Sequence, residues 1–179
     1  MKTIFILIAA LAVNFSNAPQ SEFVCQPCGS ECDSMIHGAA GACPICNMAL
    51  VERSTIKFSN LTPLEFCTRM ESNPNAIVLD VRSAAEFNGS TTRKESFGHF
   101  KNAINIPLDQ LEARIDELAN YKEKEILVYC SHSRRSPRAS YLLGTKGFEN
   151  VKNMSGGVST IQEQQSANCF RSTYVEHDH

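Results

Sequence analysis

The sequence predicts an α/β fold: a mainly parallel β-sheet with helices on both faces. Two observations carry this. First, Ala76–Ile77–Val78–Leu79–Asp80–Val81 and Ile126–Leu127–Val128–Tyr129 are short, nearly continuous apolar runs rich in β-branched residues. A strand with one wet face alternates polar and apolar residues, whereas runs like these are buried on both faces, as strands of parallel sheets are. Second, the segments between them have helical spacing, and strands alternating with helices make βαβ units.

The elements follow in chain order. Met1–Lys2–Thr3 and the apolar run Ile4 to Val13 form a signal-peptide pattern too short to span a membrane. Cleavage is expected near Ser16–Asn17–Ala18, so residues 1–18 are read as a signal peptide. The chain is then periplasmic or secreted, with no stable transmembrane anchor. Residues 23–51 hold five of the eight cysteines. The pairs Cys25/Cys28 and Cys43/Cys46 have C-x-x-C spacing around a Gly/Ala-rich connector, as in zinc ribbons, where four thiolates close a tetrahedron. So small a segment needs a metal or disulfides to be ordered. Cys32 and His37 lie between the pairs as alternative ligands, and Met48 lies just beyond. Soft sulfur donors suit Cu(I) as well as zinc. A disulfide-stapled knob in an oxidising compartment is the alternative.

Glu52 to Ser54 reads as a linker and Ile56–Lys57–Phe58 as a first strand. Thr62–Pro63–x–Glu65 has the residues of a capping box, which starts a helix running to about Glu71. Strand 76–81 precedes a short helix around Ala84–Phe87 and a polar loop, Asn88 to Phe97. Ala103 to Pro107 gives another short strand, and Leu108, Leu111, Ile115 and Leu118 fall at amphipathic-helix spacing. Phe148 to Met154 is the last strand, Ser155–Gly156–Gly157 a tight turn, and Val158 to about Gln165 a final helix. Residues 166–179 are expected to be a frayed polar tail.

Strand 126–129 leads directly into Cys130–Ser131–His132–Ser133–Arg134–Arg135, and Ser136–Pro137 opens a helix. Proline suits a first helical turn, where its missing N–H costs nothing. A cysteine facing a helix N-terminus and two guanidinium groups is expected to ionise more readily than free cysteine. The thiolate is the nucleophilic form, and sites in such sheets lie at the carboxyl ends of strands. Cys130 is therefore the catalytic candidate, with a buried structural cysteine as the plainer alternative.

Six short pieces recur in a known order: Asp80–Val81–Arg82, Glu86–Phe87, Gly98–His99–Phe100 with Ala103 to Pro107, the Cys130 loop, Gly147–Phe148 with Val151, and Gly156–Gly157. On these, residues from about 55 to 165 resemble a rhodanese (sulfurtransferase) domain. The resemblance implies a five-stranded, largely parallel sheet and a Cys130 that carries a persulfide. It also implies a binding loop of Ser131, His132, Ser133, Arg134 and Arg135, with Arg135 in the loop-closing position. Asp80, Arg82 and His99 are expected to be structural. Ser133 stands where that family usually has glycine, and the link from 88 to 97 is longer than usual. The C-x4-R loop is shorter than the C-x5-R cradle of related cysteine phosphatases, which favours sulfur over phosphate. Residues 23–51 resemble small heavy-metal-binding modules ending C-P-x-C-x-M-x-L, here Cys43 to Leu50, and that resemblance implies metal binding.

A formal net charge of −2 without a basic run argues against nucleic acid as a partner. The expected function is an exported sulfurtransferase that moves a sulfane sulfur from thiosulfate or a persulfide donor to a thiol or cyanide. Transfer needs no cofactor, and zinc or another soft metal is expected at Cys25, Cys28, Cys43 and Cys46. Two other readings stand beside it. One is a non-enzymatic metal-binding or sensing protein that uses the domain as a scaffold. The other is a thiol redox protein in which Cys130 pairs with Cys67 or Cys169.

Overall fold

The computed structural model describes residues 21–91, 97–161 and 168–177. The expected signal peptide, the centre of the 88–97 loop, the end of the expected final helix with the first two residues of the tail (162–167), and the last two residues lie outside them.

The cysteine-rich segment is a small antiparallel sheet of β1 (Phe23–Cys25), β2 (Ile36–His37), β3 (Gly41–Ala42) and β4 (Ala49–Glu52), in the order β2-β1-β4-β3. Its interior is made of sulfur: Cys25, Cys28, Cys32 and Cys43 are buried, with Met48 and Leu50 packed against them. A 3-10 turn, Arg53–Thr55, joins it to the main domain.

That domain runs through β5 (Phe58–Leu61), α1 (Pro63–Ser72), β6 (Ile77–Asp80), α2 (Ala84–Phe87), β7 (His99–Phe100), β8 (Ile104–Asn105) and α3 (Leu108–Leu111). It continues through β9 (Ile126–Tyr129), α4 (Ser136–Thr145), β10 (Val151–Met154), α5 (Asn168–Thr173) and β11 (Tyr174–Val175). The central sheet has the order β5-β10-β9-β6-β8, and its strand pairs are parallel. The expected five-stranded parallel sheet is present.

β9 lies in the middle, and the strand period of two explains its unbroken apolar sequence. Ile126 and Val128 face a core shared with Leu79, Leu111, Leu118, Ala139 and Leu143. Leu127 and Tyr129 face the other core, with Phe66, Phe100, Met154, Ile161 and Phe170. Thus α3 and α4 cover one face and α1 and α5 the other.

The capping box at α1 forms as expected: the Glu65 amide donates to Thr62 Oγ1 at 3.3 Å, and the Thr62 amide donates to Glu65 Oε2 at 2.8 Å. Three expectations are corrected. The first strand starts at Phe58 rather than Ile56, because its parallel register with β10 begins at Phe58 opposite Val151. The single helix expected from Leu108 to Leu118 is instead α3 followed by a 3-10 helix, Ile115–Tyr121. Three residues per turn place Ile115, Leu118 and Tyr121 on one face, against the same core. The tail is not frayed over 168–175. Cys169 and Phe170 are buried in the second core, a disulfide joins Cys169 to Cys67 with Cα atoms 5.8 Å apart, and β11 pairs antiparallel with β7. Among the described residues, no helix is long and apolar enough to cross a membrane.

Candidate functional site

Cys130 follows β9 directly, at the carboxyl end of the sheet's central strand. Its thiol is free and its residue is 1% exposed. The loop from 131 to 135 curls around to α4, whose first residue returns to the sulfur. The Ser136 amide donates to Cys130 Sγ at 3.4 Å, and the Ser136 hydroxyl lies 3.4 Å from the same atom. Added negative charge on this sulfur would meet an amide and a hydroxyl at a helix N-terminus, where anions are favoured.

The loop is fixed from below by the turn at Gly156–Gly157. The Val158 amide donates to the Cys130 carbonyl and the Ser159 amide to the Ser131 carbonyl, each at 3.0 Å. A Cβ on Gly157 would collide with both carbonyl groups, so glycine is the residue that lets the turn approach. Ser133 takes φ +54°, the left-handed conformation that glycine adopts easily. Its hydroxyl donates to the Met154 carbonyl at 3.3 Å.

The two arginines do different work. Arg135 makes a two-point ion pair with Glu86 in α2, at 2.7 and 2.6 Å, and also donates to Ser131 Oγ at 2.9 Å. Burial alone would raise the Glu86 pKa, but Arg135 and the cap residue Ser83 outweigh it and hold the carboxyl well below the usual range. Glu86 raises Arg135 in return. Arg134 turns the other way, onto the cysteine-rich module, and donates to Ser30 Oγ at 2.7 Å. His132 is exposed and meets Phe97 edge to face with ring centres 5.5 Å apart.

The expected structural roles of Asp80, Arg82 and His99 are visible. Arg82 is 1% exposed, binds the Asp80 carboxylate at 2.6 to 3.0 Å, and donates to the Phe97 and Gly98 carbonyls. It thereby ties β6 to the segment entering β7. His99 packs between Phe87 and His177, and its Nδ1 lies 3.1 Å from His177 Nε2.

Two site residues escape a reading by local spacing. Glu86 enters the sequence reading only in the short piece Glu86–Phe87, and in the structure it also completes a capping box with Ser83. Its link to Arg135, 49 residues away, is a product of the fold. Ser136 reads as the residue before a helical proline, and only the closed loop shows it beside the sulfur.

In the module, the four predicted ligands do not gather as one set. Cys25, Cys43 and Cys46 meet with Cys32, and these four sulfur atoms lie within 4.8 Å of one another. Cys28 joins a second group, with Cys25, Cys32 and Asp33. A tetrahedral ion with metal–sulfur bonds of about 2.3 Å needs its sulfurs about 3.8 Å apart. Cys32–Cys46 at 3.6 Å and Cys28–Cys32 at 3.8 Å suit that size, while Cys25–Cys46 at 3.2 Å is tighter and would open on binding. The cluster could therefore bind a metal. Burial pushes the Cys32 thiol up to about 12, while the Met48 backbone N–H holds Cys46 down to about 6. His37 falls in neither group, and Met48 sulfur accepts from Arg138 at 3.7 Å.

The module and the loop touch. A Cβ on Gly29, which has φ +75°, would overlap the Ser133 carbonyl. Glycine at 29 is what allows the two backbones to meet.

The rhodanese-like domain family matches residues 62–164, more than half of the chain, and the protein belongs to that family. Among curated relatives, the tRNA uridine(34) hydroxylase of Hamiltonella defensa is 37% identical over 93 residues, which is 50% of this chain and 24% of that protein. The tRNA uridine(34) hydroxylase of Cronobacter sakazakii is 32% identical over the same shares. The chain thus spans about a quarter of the length of these relatives. A solved structure from Rhodopseudomonas palustris, described as a protein of unknown function and possible tyrosine phosphatase, matches with a TM-score of 0.52 at 18% identity. It covers 62% of this chain and 83% of its own, and it shows the fold alone.

Proposed function

We propose that this protein is a sulfurtransferase whose carrier is Cys130. The supporting observation is the free thiol at the end of β9, with the Ser136 amide and hydroxyl both 3.4 Å from its sulfur. In the first half-reaction the Cys130 thiolate attacks the outer sulfur of thiosulfate. A sulfur–sulfur bond forms to Cys130, the bond within thiosulfate breaks, and sulfite leaves with the bonding pair. A persulfide donor reacts in the same way and releases a thiolate. In the second half-reaction a thiol or cyanide takes the outer sulfur and Cys130 thiolate returns. No oxidant, reductant or cofactor is consumed. The persulfide's negative charge is met by Ser136 and the helix N-terminus. Arg135, paired with Glu86, closes the loop; exposed His132 and Arg134 are what an anionic donor meets at its rim, while Ser131 and Ser133 hold the loop's shape through their bonds to Glu86 and the Met154 carbonyl.

The acceptor is a small molecule rather than RNA. This chain has a net charge of −2 and no basic stretch, which argues against RNA as the acceptor. The redox reading, in which Cys130 pairs with Cys67 or Cys169, loses support because those two are bonded to each other. That disulfide supports export to a periplasm or the cell exterior, where disulfides persist. In this reading residues 1–18 are the signal peptide, 23–51 a module for zinc or another soft metal, 55–165 the transfer domain and 166–179 its C-terminal segment. Thiosulfate:cyanide transfer by the native chain and by Cys130→Ser tests the proposal. Loss of sulfite release in the variant is expected, and full activity there would sink it.

A further inference from the structure

The module contains one more thiol than a single tetrahedral ion can use, and the surplus is placed in a particular way. The two four-donor groups share two members. Cys25, Cys32, Cys43 and Cys46 form one group, and Cys25, Cys28, Cys32 and Asp33 form the other. A thiolate sulfur has lone pairs for two metal ions. We propose that the module holds two divalent ions of the zinc or cadmium class, bridged by Cys25 and Cys32. This rests on the reading of the module as a metal site and adds its number of ions and its division of ligands.

The geometry of the second group carries the inference. Cys28 Sγ is 3.8 Å from Cys32 Sγ and 3.2 Å from Asp33 Oδ1. The first is the sulfur–sulfur separation of a tetrahedral site, and the second allows for the shorter bonds that oxygen makes. Asp33 is held in place by the Cys28 amide at 3.0 Å and the Gly29 amide at 2.7 Å. The 3-10 turn Glu31–Ser34 sets Cys32 and Asp33 side by side. Cys28 itself is 3% exposed, so a single ion in the four-sulfur group would leave a buried, unused thiol against a carboxylate.

Charge points the same way. Four thiolates around one divalent ion leave two negative charges, and Asp33 beside them adds a third. Ionising Cys28 and adding a second divalent ion brings the total back to two, now spread over a larger group. Each thiol that becomes a ligand releases its proton to the solvent. The four-sulfur centre fills first. The centre with three sulfurs and a carboxylate fills second and more weakly, because oxygen is the harder donor. Cu(I) has little use for the carboxylate, so the mixed donor set favours divalent ions.

Cadmium alone, added to the full-length chain with its module thiols reduced and air excluded, tests this. Native mass spectrometry should count two cadmium ions per chain, and cadmium NMR should show two resonances, one for four sulfurs and one for a mixed site. Cys28→Ser and Asp33→Asn should each reduce the count from two to one and remove only the mixed-site resonance. The surviving four-sulfur signal shows that such a variant is still folded there. Saturation of the native chain at one ion, or two ions persisting in both variants, overturns the bridged pair while leaving the single-metal reading intact. No binding at all overturns both.

Discussion

Replacing Glu86 by glutamine keeps the side chain's shape and removes its charge. The native carboxylate accepts five hydrogen bonds: from the Ser83 amide at 3.0 Å and hydroxyl at 2.8 Å, from the Ser131 hydroxyl at 2.9 Å, and from Arg135 at 2.7 and 2.6 Å. Hydrogen bonds to a charged group contribute about 1.5–3 kcal/mol each when buried. Here the Glu86 side chain is 14% exposed and that of Arg135 33%, so solvent screens part of the ion pair. Glutamine also keeps one acceptor oxygen. A net loss of about 2 kcal/mol follows. In a chain of this length that lowers Tm by about 4–8 °C. Because Arg135 also bonds to Ser131 in the loop, sulfur transfer should fall by about tenfold, the equivalent of 1.4 kcal/mol.

The pH dependence has a definite sign. Burial pulls the Glu86 pKa upward, but Arg135 and Ser83 prevail and set it well below its unfolded value of about 4.3. Its stabilisation is therefore complete above that value and disappears as pH falls toward the folded value. Thermal melts of the native chain and Glu86→Gln should differ by a constant amount from pH of about 8 to about 5.5, and begin to converge only below about 4.5. Equal melting at neutral pH, or a native advantage that grows in acid, would refute the reasoning.

Other outcomes follow from single contacts. Gly29→Val places side-chain atoms against the Ser133 carbonyl, so it should displace the module from the loop and slow transfer. Gly38→Ala, where nothing lies within 4 Å, should be neutral in the same assay. Cys67→Ser opens a cross-link between residues 102 apart, and chain-entropy reasoning for so long a loop gives a loss of up to about 4.7 kcal/mol. A lower melting temperature and faster proteolysis near residue 168 should accompany it, and unchanged values would show that the tail is held without the bond. Leu79→Ala, in the fully buried centre of the first core, should cost about 2–5 kcal/mol in denaturant unfolding.

Much of the fold is legible in the sequence because its signals are local. The continuous apolar run at 126–129 marks a strand buried on both faces, and Thr62 with Glu65 marks a helix start. Cys130 is legible for the same reason, since a strand, a loop and a helical proline follow one another directly. What is illegible depends on distance along the chain. Glu86 is only one residue of a short recurring piece until the fold brings Arg135 to it. Cys169 looks like part of a polar tail until Cys67 is opposite. In the module, C-x-x-C spacing draws attention to Cys28, but ligand choice depends on which sulfurs converge, and the 3-10 turn sends Cys32 inward between both groups. The 3-10 helix at 115–121 is hidden because apolar residues three apart also satisfy an α-helical pattern.

The claim that Cys130 carries sulfur is tested most directly by mass spectrometry of the native chain after brief exposure to thiosulfate, with excess donor removed. The predicted result is a mass increase of one sulfur atom, located on the peptide containing Cys130 and lost on adding cyanide. An unmodified Cys130, or added sulfur found only on cysteines of the 23–51 module, would contradict it.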